Sequence, residues 1–193
     1  MTTTSLEEQL AQALQELQVA RQRMIDLRRQ LPQEAVRDYS FAGPEGVQFP
    51  LSRLFGDKPD LIVIHNMGTS CVYCTMWADG FNGILPHLQD RAAFVVISPD
   101  APEIQQEFAS QRGWRFPMVS SAGTSFRADL GFQQGDDLMP GVSVLRKQDD
   151  GSIVHVARDM FGPGDDYCAT WHLFDLLPAG SAGWEPRFSY TAQ

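Results

Sequence analysis

The sequence predicts an α/β protein in which helices cover both faces of a mixed β-sheet. From residue 61 onward, short apolar runs typical of buried strands alternate with longer helical segments. The last two predicted strands are joined by a turn carrying Asp150-Gly151, which is typical of an antiparallel hairpin, so the sheet is expected to be mixed. At 193 residues and 43% hydrophobic content, the chain is long enough for one domain with a sizeable core.

The first predicted element is a long amphipathic helix over residues 5–31. Ser5 and Glu8 have the spacing of a capping box, and Pro32 ends the helix. Two apolar series repeat every seven residues and form a coiled-coil seam over about four heptads, namely Leu10, Leu17, Met24 and Leu31, and Leu6, Ala13, Ala20 and Leu27. Alanine at half of the d positions weakens a free-standing coiled coil. Residues 1–34 therefore pack on the rest of the chain, or they pair in parallel or antiparallel in a homodimer.

The elements after this helix are predicted in chain order. Two apolar stretches around a Gly-Pro-Glu-Gly turn predict a hairpin over residues 39–49, and one helical turn follows at 51–55. Strands are then predicted at 61–65, 92–98, 116–120, 142–145 and 153–157, and helices at 72–89, 101–112, 124–130 and 163–177. The domain spans residues 35–178, and residues 179–193, rich in Gly, Ser and Pro, form an irregular tail.

Charge and composition exclude several classes of protein. The net charge is −9, from 15 basic and 24 acidic residues, so no nucleic-acid partner is expected. The chain has neither an apolar segment of membrane-spanning length nor a signal-peptide pattern, and its three cysteines are too few for a disulfide framework. We therefore expect a cytoplasmic protein without a membrane partner. No cofactor is expected, because the sequence has no Gly-x-Gly-x-x-Gly, Walker loop or Cys-x-x-Cys-His motif.

Cys71 and Cys74 carry the strongest chemical signal. They follow a predicted buried strand and open a predicted helix. The free amides and the dipole at a helix N-terminus stabilise a thiolate, so Cys71 is expected to have a lowered pKa and to be the nucleophile. Cys74 lies one helical turn further on, within reach of a disulfide, and would resolve a mixed disulfide formed at Cys71. The other interpretation is two buried cysteines without a chemical role.

A zinc site is an alternative for the same pair. Cys168 and His172 have Cys-x-x-x-His spacing, and with Cys71 and Cys74 they would complete four tetrahedral ligands. On the predicted last helix, which has an aromatic face, Cys168 is more simply a core residue.

Several further residues are candidates for supporting the cysteine pair. His65 ends the strand before the motif, where it either tunes the Cys71 thiolate or is a hydrogen-bonded structural group. Asp79 is a candidate proton acceptor for Cys74, or else a solvated surface residue. Arg127 and Arg146 are the candidate cations, since a cation near Cys74 would favour its thiolate. Three more candidates lie in or beside the motif, namely Ser70, Tyr73 and Trp77.

Taken together, these residues resemble the alkyl hydroperoxide reductase and thiol-specific antioxidant group of thioredoxin-fold proteins. The lead-in from Tyr39 to Val63, with Leu51-Ser-Arg-Leu-Phe-Gly-Asp-Lys-Pro-Asp-Leu-Ile-Val63, is similar to the start of that group. More narrowly, residues 35–177 resemble a bacterial thioredoxin-like family of unknown function, through His65-Asn-Met-Gly, Cys71-x-x-Cys74, Trp77-Ala-Asp-Gly-Phe81, Arg112-Gly-Trp-x-Phe-Pro-x-Val-Ser-Ser121 and Gly141-Val-Ser-Val. The resemblance implies a thioredoxin fold with the redox motif at the start of the first core helix, extended by the N-terminal helix and hairpin.

The resemblance implies two possible chemistries. In thioredoxins the first motif cysteine, here Cys71, attacks disulfides, and a cis-proline precedes the strand that faces the motif, near Pro140 here. In peroxiredoxins the peroxide-attacking cysteine matches Cys74, and an arginine from a later strand is needed, for which Arg146 is nearest by order. Because both cysteines are present, we expect exchange with a protein or small-molecule disulfide. A thiol peroxidase acting on peroxides and a non-enzymatic scaffold or zinc-binding module are the alternatives.

Overall fold

The computed structural model describes residues 5–43 and 46–190, and the chain divides after Gln33 into two compact units. The first unit is one helix, α1 (Leu6–Gln30). At its start the Ser5 hydroxyl accepts a hydrogen bond from the Glu8 amide, and the Glu8 carboxylate accepts one from the Ser5 amide. The predicted helix and its capping box are therefore confirmed, and the helix ends just before Pro32.

The second unit is built on a six-stranded sheet with helices around it. Its elements in chain order are β1 (Glu34–Val36), β2 (Ser40–Ala42), β3 (Gln48–Pro50), a 3₁₀ turn (Leu51–Phe55), β4 (Asp60–His65), α2 (Val72–Arg91), β5 (Ala93–Ser98), α3 (Pro102–Arg112), β6 (Met118–Ser120), α4 (Phe126–Asp129), β7 (Gln133–Gln134), β8 (Asp137–Leu138), β9 (Gly141–Lys147), β10 (Ile153–Met160) and α5 (Ala169–Phe174). The order of strands in the large sheet is β1-β10-β9-β4-β5-β6, and β2–β3 and β7–β8 are separate hairpins.

Strand β4 lies at the border between the two halves of the large sheet. It runs parallel to β5, which in turn runs parallel to β6, whereas β9 pairs with β4 in antiparallel register. His65, the last residue of β4, is paired with Gly141, the first residue of β9. The carboxyl end of β4 and the start of β9 therefore meet at one edge, and the predicted mixed sheet is confirmed.

The sheet separates two apolar cores, because successive side chains of a strand point to opposite faces. On β5, Phe94 and Val96 belong to one core, and Val95 and Ile97 belong to the other. The first core is covered by aromatic side chains of α2 and α5, including Trp77, Phe81 and Trp171. The second is covered by the β2–β3 hairpin, the 3₁₀ turn and α4, through Phe41, Phe55 and Phe126.

The last helix is shorter than the predicted span of 163–177. The carboxylate of Asp165 accepts hydrogen bonds from the amides of Gly162, Tyr167 and Cys168. This side-chain turn offers the backbone an alternative to helical bonding, so the helix begins only at Ala169, with Cys168 as its N-cap.

Other differences concern the shortest elements. The sequence analysis did not predict β1, β7 or β8, because strands of two or three residues are too short to show alternation. The hairpin β2–β3 is confirmed, although Pro44 and Glu45 of its predicted turn lie outside the described residues. So do residues 1–4 of the N-terminal segment and 191–193 of the tail. None of the helices in the described ranges is long and apolar enough to cross a membrane.

His65 is a fully buried imidazole in the second core. Its Nε2 atom lies 3.0 Å from Ser143 Oγ, and its ring stacks on Phe132 with 3.8 Å between the centroids. Burial, with the positive charge of Arg127 as a smaller cause, holds the pKa of His65 well below its usual value. Of the two interpretations of His65, these contacts favour the hydrogen-bonded structural group.

Acidification is expected to destabilise the protein through His65. Below pH 6.5 the unfolded chain binds a proton at His65 while the folded chain does not, so the free energy of unfolding falls by about 1.4 kcal/mol per pH unit. Urea unfolding of the wild type and of His65→Gln between pH 7 and pH 5 measures this effect. The variant should lose that part of the slope, since His155 and the carboxylates titrate in both proteins. A difference in stability between the two proteins that stays constant over this range would contradict the prediction.

Candidate active site

The loop between β4 and α2 fixes where the cysteine motif begins. The Asn66 amide donates to the Ile97 carbonyl at 2.8 Å, and the Asn66 side-chain oxygen accepts from the Gly68 amide at 2.8 Å. The Thr69 amide donates to a carboxylate oxygen of Asp100 at 2.9 Å. Gly68 has φ +109°, and a Cβ there would lie 3.1 Å from both Asp100 carboxylate oxygens, so the loop requires glycine.

The two motif cysteines lie at the start of α2 in different surroundings. Cys71 is the N-cap of α2, and its Sγ accepts a hydrogen bond from the Cys74 amide at 3.1 Å. Cys71 is partly exposed, whereas Cys74 is 3% exposed and its Sγ accepts from the Met67 amide at 3.4 Å. Because only Cys71 is partly exposed, it is the one of these two sulfurs that an incoming molecule can reach.

The pKa values of these two thiols move in opposite directions. A hydrogen bond from the Cys74 side chain, helped by the amides of Cys74 and Tyr73, lowers the pKa of Cys71 to about 7, against the opposing effect of partial burial. The same hydrogen bond, together with burial, raises the pKa of Cys74. Near neutral pH a large fraction of Cys71 is therefore thiolate, while Cys74 keeps its proton and donates it.

Arg127 places a buried positive charge behind the motif. Its guanidinium is 1% exposed and donates to the carbonyls of Asn66 at 2.7 Å, Ile97 at 3.3 Å and Met139 at 3.1 Å. Burial lowers the pKa of Arg127 to about 10, so the group is charged at neutral pH. Its charge opposes the rise in the pKa of Cys74. Arg127 therefore joins the cysteine loop, the end of β5 and the segment before β9, and it favours a thiolate at Cys74.

The other two charged candidates have hydrogen-bond partners outside the cysteine pair, which disfavours the roles expected for them. Arg146 donates from Nε to Asp60 at 2.7 Å, at the opposite end of β4 from the motif. Asp79 accepts from Arg112 Nε at 3.0 Å and from Trp114 Nε1 at 2.8 Å. Asp79 thus ties α2 to the end of α3 and the segment after it, and these contacts favour a structural role over that of a proton acceptor for Cys74. Arg127, not Arg146, is the arginine near the motif.

Aromatic side chains flank the motif on the α2 side. Tyr73 stacks on Trp171 with 6.3 Å between ring centroids and lies 6.2 Å from Trp77. Trp77 is buried and packs on Phe161 at 5.3 Å. Tyr73 and Trp77 therefore form an apolar wall beside Cys71, whereas Ser70 is exposed in the turn before it.

The residues of the zinc alternative do not come together as a metal site. Cys168 is buried in the apolar core that also holds Cys74, and His172 is half-exposed, 3.4 Å from Asp166. In the part of the chain that the structure describes, no three His, Cys, Asp or Glu side chains are grouped so that they could hold a metal ion. The arrangement therefore favours a core role for Cys168.

Pro140 lies at the edge of the sheet where β4 and β9 meet. Its carbonyl accepts from the Phe161 amide at 3.0 Å, and Gly141 follows it opposite His65. A Cβ at Gly141 would lie 2.3 Å from the Asp159 carbonyl oxygen, so only glycine fits there. No peptide bond in the described ranges is cis, so Pro140 does not supply the thioredoxin-type cis-proline.

The sequence analysis missed the residues that shape the cysteine loop, namely Asn66, Gly68 and Asp100. One signal for Asp100 was available. It closely follows the predicted strand at 92–98, and the carboxyl ends of neighbouring parallel strands meet at one edge of a sheet. The turn at Asn66 and the left-handed backbone at Gly68 have no comparable signal in the sequence.

Comparison with known sequences gives a family assignment. A family model described as "Bacterial protein of unknown function (DUF899)" matches residues 4–188. A comparison with curated protein sequences gives no match.

Comparison with solved structures identifies the fold. Peroxidoxin BcpB from Mycobacterium tuberculosis matches with 25% identity and a TM-score of 0.51, over 63% of this chain and 80% of that chain. A reduced Prx3 from Vibrio vulnificus in complex with H₂O₂ matches with 12% identity and a TM-score of 0.55, over 70% and 90% of the two chains. A peroxiredoxin-like protein from Aquifex aeolicus matches with 14% identity and a TM-score of 0.53, over 66% and 74%. The central mixed sheet with its flanking helices is thus a thioredoxin-type fold, as predicted.

Alkylation of Cys71 is expected to follow its lowered pKa. The rate of its reaction with iodoacetamide, followed by mass spectrometry of the Cys71 peptide, should rise with pH with a midpoint near 7. Cys74→Ala removes the thiol donor but keeps the amide, so the midpoint should rise toward about 8.5, the value of an unperturbed thiol. Cys168→Ala is the matched control and should leave the midpoint unchanged. A wild-type midpoint near 8.5, or an equal midpoint in Cys74→Ala, would contradict this account of the site.

Proposed function

We propose that this chain, which belongs to the DUF899 family of bacterial proteins of unknown function, is a thiol–disulfide oxidoreductase whose redox pair is Cys71 and Cys74. The observation that carries the proposal is the hydrogen-bonded pair at the start of α2, in which the partly exposed Cys71 has the lowered pKa and the buried Cys74 the raised one. A reactive thiolate beside a protonated partner is the arrangement that two-step disulfide exchange requires.

In the first step the Cys71 thiolate attacks a substrate disulfide. A bond forms between the Cys71 sulfur and one substrate sulfur, the substrate S–S bond breaks, and the other substrate sulfur leaves as a thiolate. The thiolate fraction of Cys71 near neutral pH supports this role. The partly exposed Tyr73, which packs on the buried Trp77, would contact the groups that carry the substrate sulfurs.

In the second step Cys74 resolves the mixed disulfide. Once the Cys71 sulfur is in a disulfide it no longer accepts the hydrogen bond that raises the pKa of Cys74, and the charge of Arg127 then favours the Cys74 thiolate. Cys74 gives its proton to the thiolate released in the first step and attacks the Cys71 sulfur. The mixed disulfide bond breaks, and the second substrate sulfur leaves as a thiolate that takes a proton from water. Two electrons have passed to the substrate, and a dithiol donor returns the Cys71–Cys74 disulfide to the reduced form. This chemistry suits a reducing compartment, so we place the protein in the cytoplasm.

Glutathione disulfide is a probe that separates the two steps. Cys71→Ser should not react, whereas Cys74→Ser should accumulate a glutathione adduct on Cys71, because resolution is lost. The wild type should form an intramolecular Cys71–Cys74 disulfide that dithiothreitol reverses, with Cys168→Ser behaving in the same way as a control. Mass spectrometry identifies the glutathione adducts and disulfides formed in the wild type and in the three variants. Free thiols at both positions in the oxidised wild type would refute the oxidoreductase and favour a non-enzymatic scaffold.

A thiol peroxidase is the second candidate, supported by the 25% identity to a structure solved as a peroxidoxin and by the buried cation at the motif. Here the Cys71 thiolate would attack the terminal oxygen of a peroxide and release an alcohol or water, leaving a sulfenic acid on Cys71. The Cys74 thiol would then displace water to give the same disulfide. The exposure and lowered pKa of Cys71 support Cys71, rather than Cys74, as the attacking sulfur.

The rate constants for the two substrates, glutathione disulfide and H₂O₂, distinguish the oxidoreductase from the peroxidase. For the oxidoreductase we expect disulfide formation with excess glutathione disulfide and only slow oxidation by H₂O₂, at the rate of an ordinary thiolate. Stopped-flow tryptophan fluorescence gives both second-order rate constants for the wild type and for Cys71→Ser. A rate constant for H₂O₂ that exceeds the glutathione disulfide constant by more than about a thousandfold, and that is lost in Cys71→Ser, would establish the peroxidase instead.

A further inference from the structure

Helix α1 carries an exposed apolar stripe along its whole length. Within α1 no residue is buried, and the seam residues Leu6, Leu10, Leu17 and Leu27 expose between 52% and 83% of their surface. A stripe this long on a 25-residue helix is typical of a surface that another protein covers. We propose that its occupant is the α1 helix of a second copy of this chain, packed antiparallel.

The spacing of the seam fits an antiparallel pair at one register. If the two helices cross midway between residues 18 and 19, every residue of one heptad series faces a residue of the other series on the second copy. The four layers, each repeated by the twofold symmetry, are Leu6 with Leu31, Leu10 with Leu27, Ala13 with Met24, and Leu17 with Ala20. All eight seam positions are used, and the knobs of each helix meet holes of the other.

The alanines decide between the two orientations. In a parallel pair each seam residue would face its own equivalent, so Ala13 would meet Ala13 and Ala20 would meet Ala20, leaving two underfilled layers in the middle of the seam. In the antiparallel pair Ala13 faces Met24 and Ala20 faces Leu17. Each small residue then meets a large one, and the layers are filled evenly.

The charges along α1 point to the same orientation. The first half carries Glu7, Glu8 and Glu16, and the second half carries Arg21, Arg23, Arg28 and Arg29, with Asp26 paired to Arg29. Antiparallel packing lays the acidic half of one helix along the basic half of the other. Beside the seam, Glu16 faces Arg23 of the second copy, and Glu7 faces Arg28. A parallel pair would instead bring Arg23 beside Arg28 of the second copy.

A single charge reversal separates the two orientations. Sedimentation equilibrium of the full chain should show a dimer for the wild type. Arg23→Glu should weaken this dimer about tenfold, because it replaces two symmetry-related attractions to Glu16 by repulsions. In a parallel dimer the same variant would face Arg28 and would dimerise more tightly. Arg29→Glu changes the charge equally on the outer face of α1 and should leave the dissociation constant unchanged.

Mixing two variants gives an independent readout. Glu16→Arg and Arg23→Glu should each dimerise weakly alone. An equimolar mixture of the two should regain wild-type affinity, because in the heterodimer an acidic and a basic residue face each other at both contacts between positions 16 and 23. A monomeric wild type would overturn the proposal and favour packing of α1 on its own chain. Tighter dimerisation of Arg23→Glu, or a dissociation constant that Arg23→Glu does not change, would overturn it as well. Because all these variants keep Cys71 and Cys74, the oligomeric state can be measured separately from the proposed redox activity.

Discussion

One buried guanidinium holds the cysteine site together. Arg127 donates to backbone carbonyls of three segments that are distant in sequence, the loop after β4, the end of β5 and the segment before β9. Without this side chain the carbonyls of Asn66 and Met139 would lose its hydrogen bonds, whereas the Ile97 carbonyl would keep the one from the Asn66 amide. Arg127 retains its charge despite burial because these three acceptors replace the water that it loses.

This framework makes the hydrogen bond within the cysteine pair effective. A thiol one helical turn away can lower the pKa of Cys71 only if the loop presents the Cys71 sulfur to it, and that loop is held by Asn66 and Asp100 on either side of Gly68. The same bond raises the pKa of Cys74. The difference between the two thiols, which the proposed chemistry requires, therefore arises first from one shared contact, and the deeper burial of Cys74 increases it.

The parts of this molecule that the sequence predicts well are those in which local pattern and global fold agree. The capping box and heptads of α1, and the continuous apolar runs of β4 and β5, each have one structural interpretation. The position of Cys71 at the start of α2 predicts that its thiol has the lower pKa, and its exposure and hydrogen bonds support that prediction. The choice between Arg127 and Arg146 was not predictable, because each arginine finds its partners through tertiary contacts, with Asn66 61 residues away in one case and Asp60 86 residues away in the other. For the same reason Asp79 pairs with Arg112, which is 33 residues away, rather than serving the nearby cysteine.

The long separations at Arg127 also determine when the site comes into existence during folding. The contact to Asn66 closes a loop of 61 residues, and the contact to Ile97 closes one of 30 residues. Contacts that close long loops form late, because their entropic cost must be met by structure already in place. In a chain still emerging from the ribosome, the contacts within α2 that lower the pKa of Cys71 can form before Arg127 is joined to the cysteine loop. The charge that favours a thiolate at Cys74 is in this way added late, by the finished fold, to a cysteine pair whose own contacts are local.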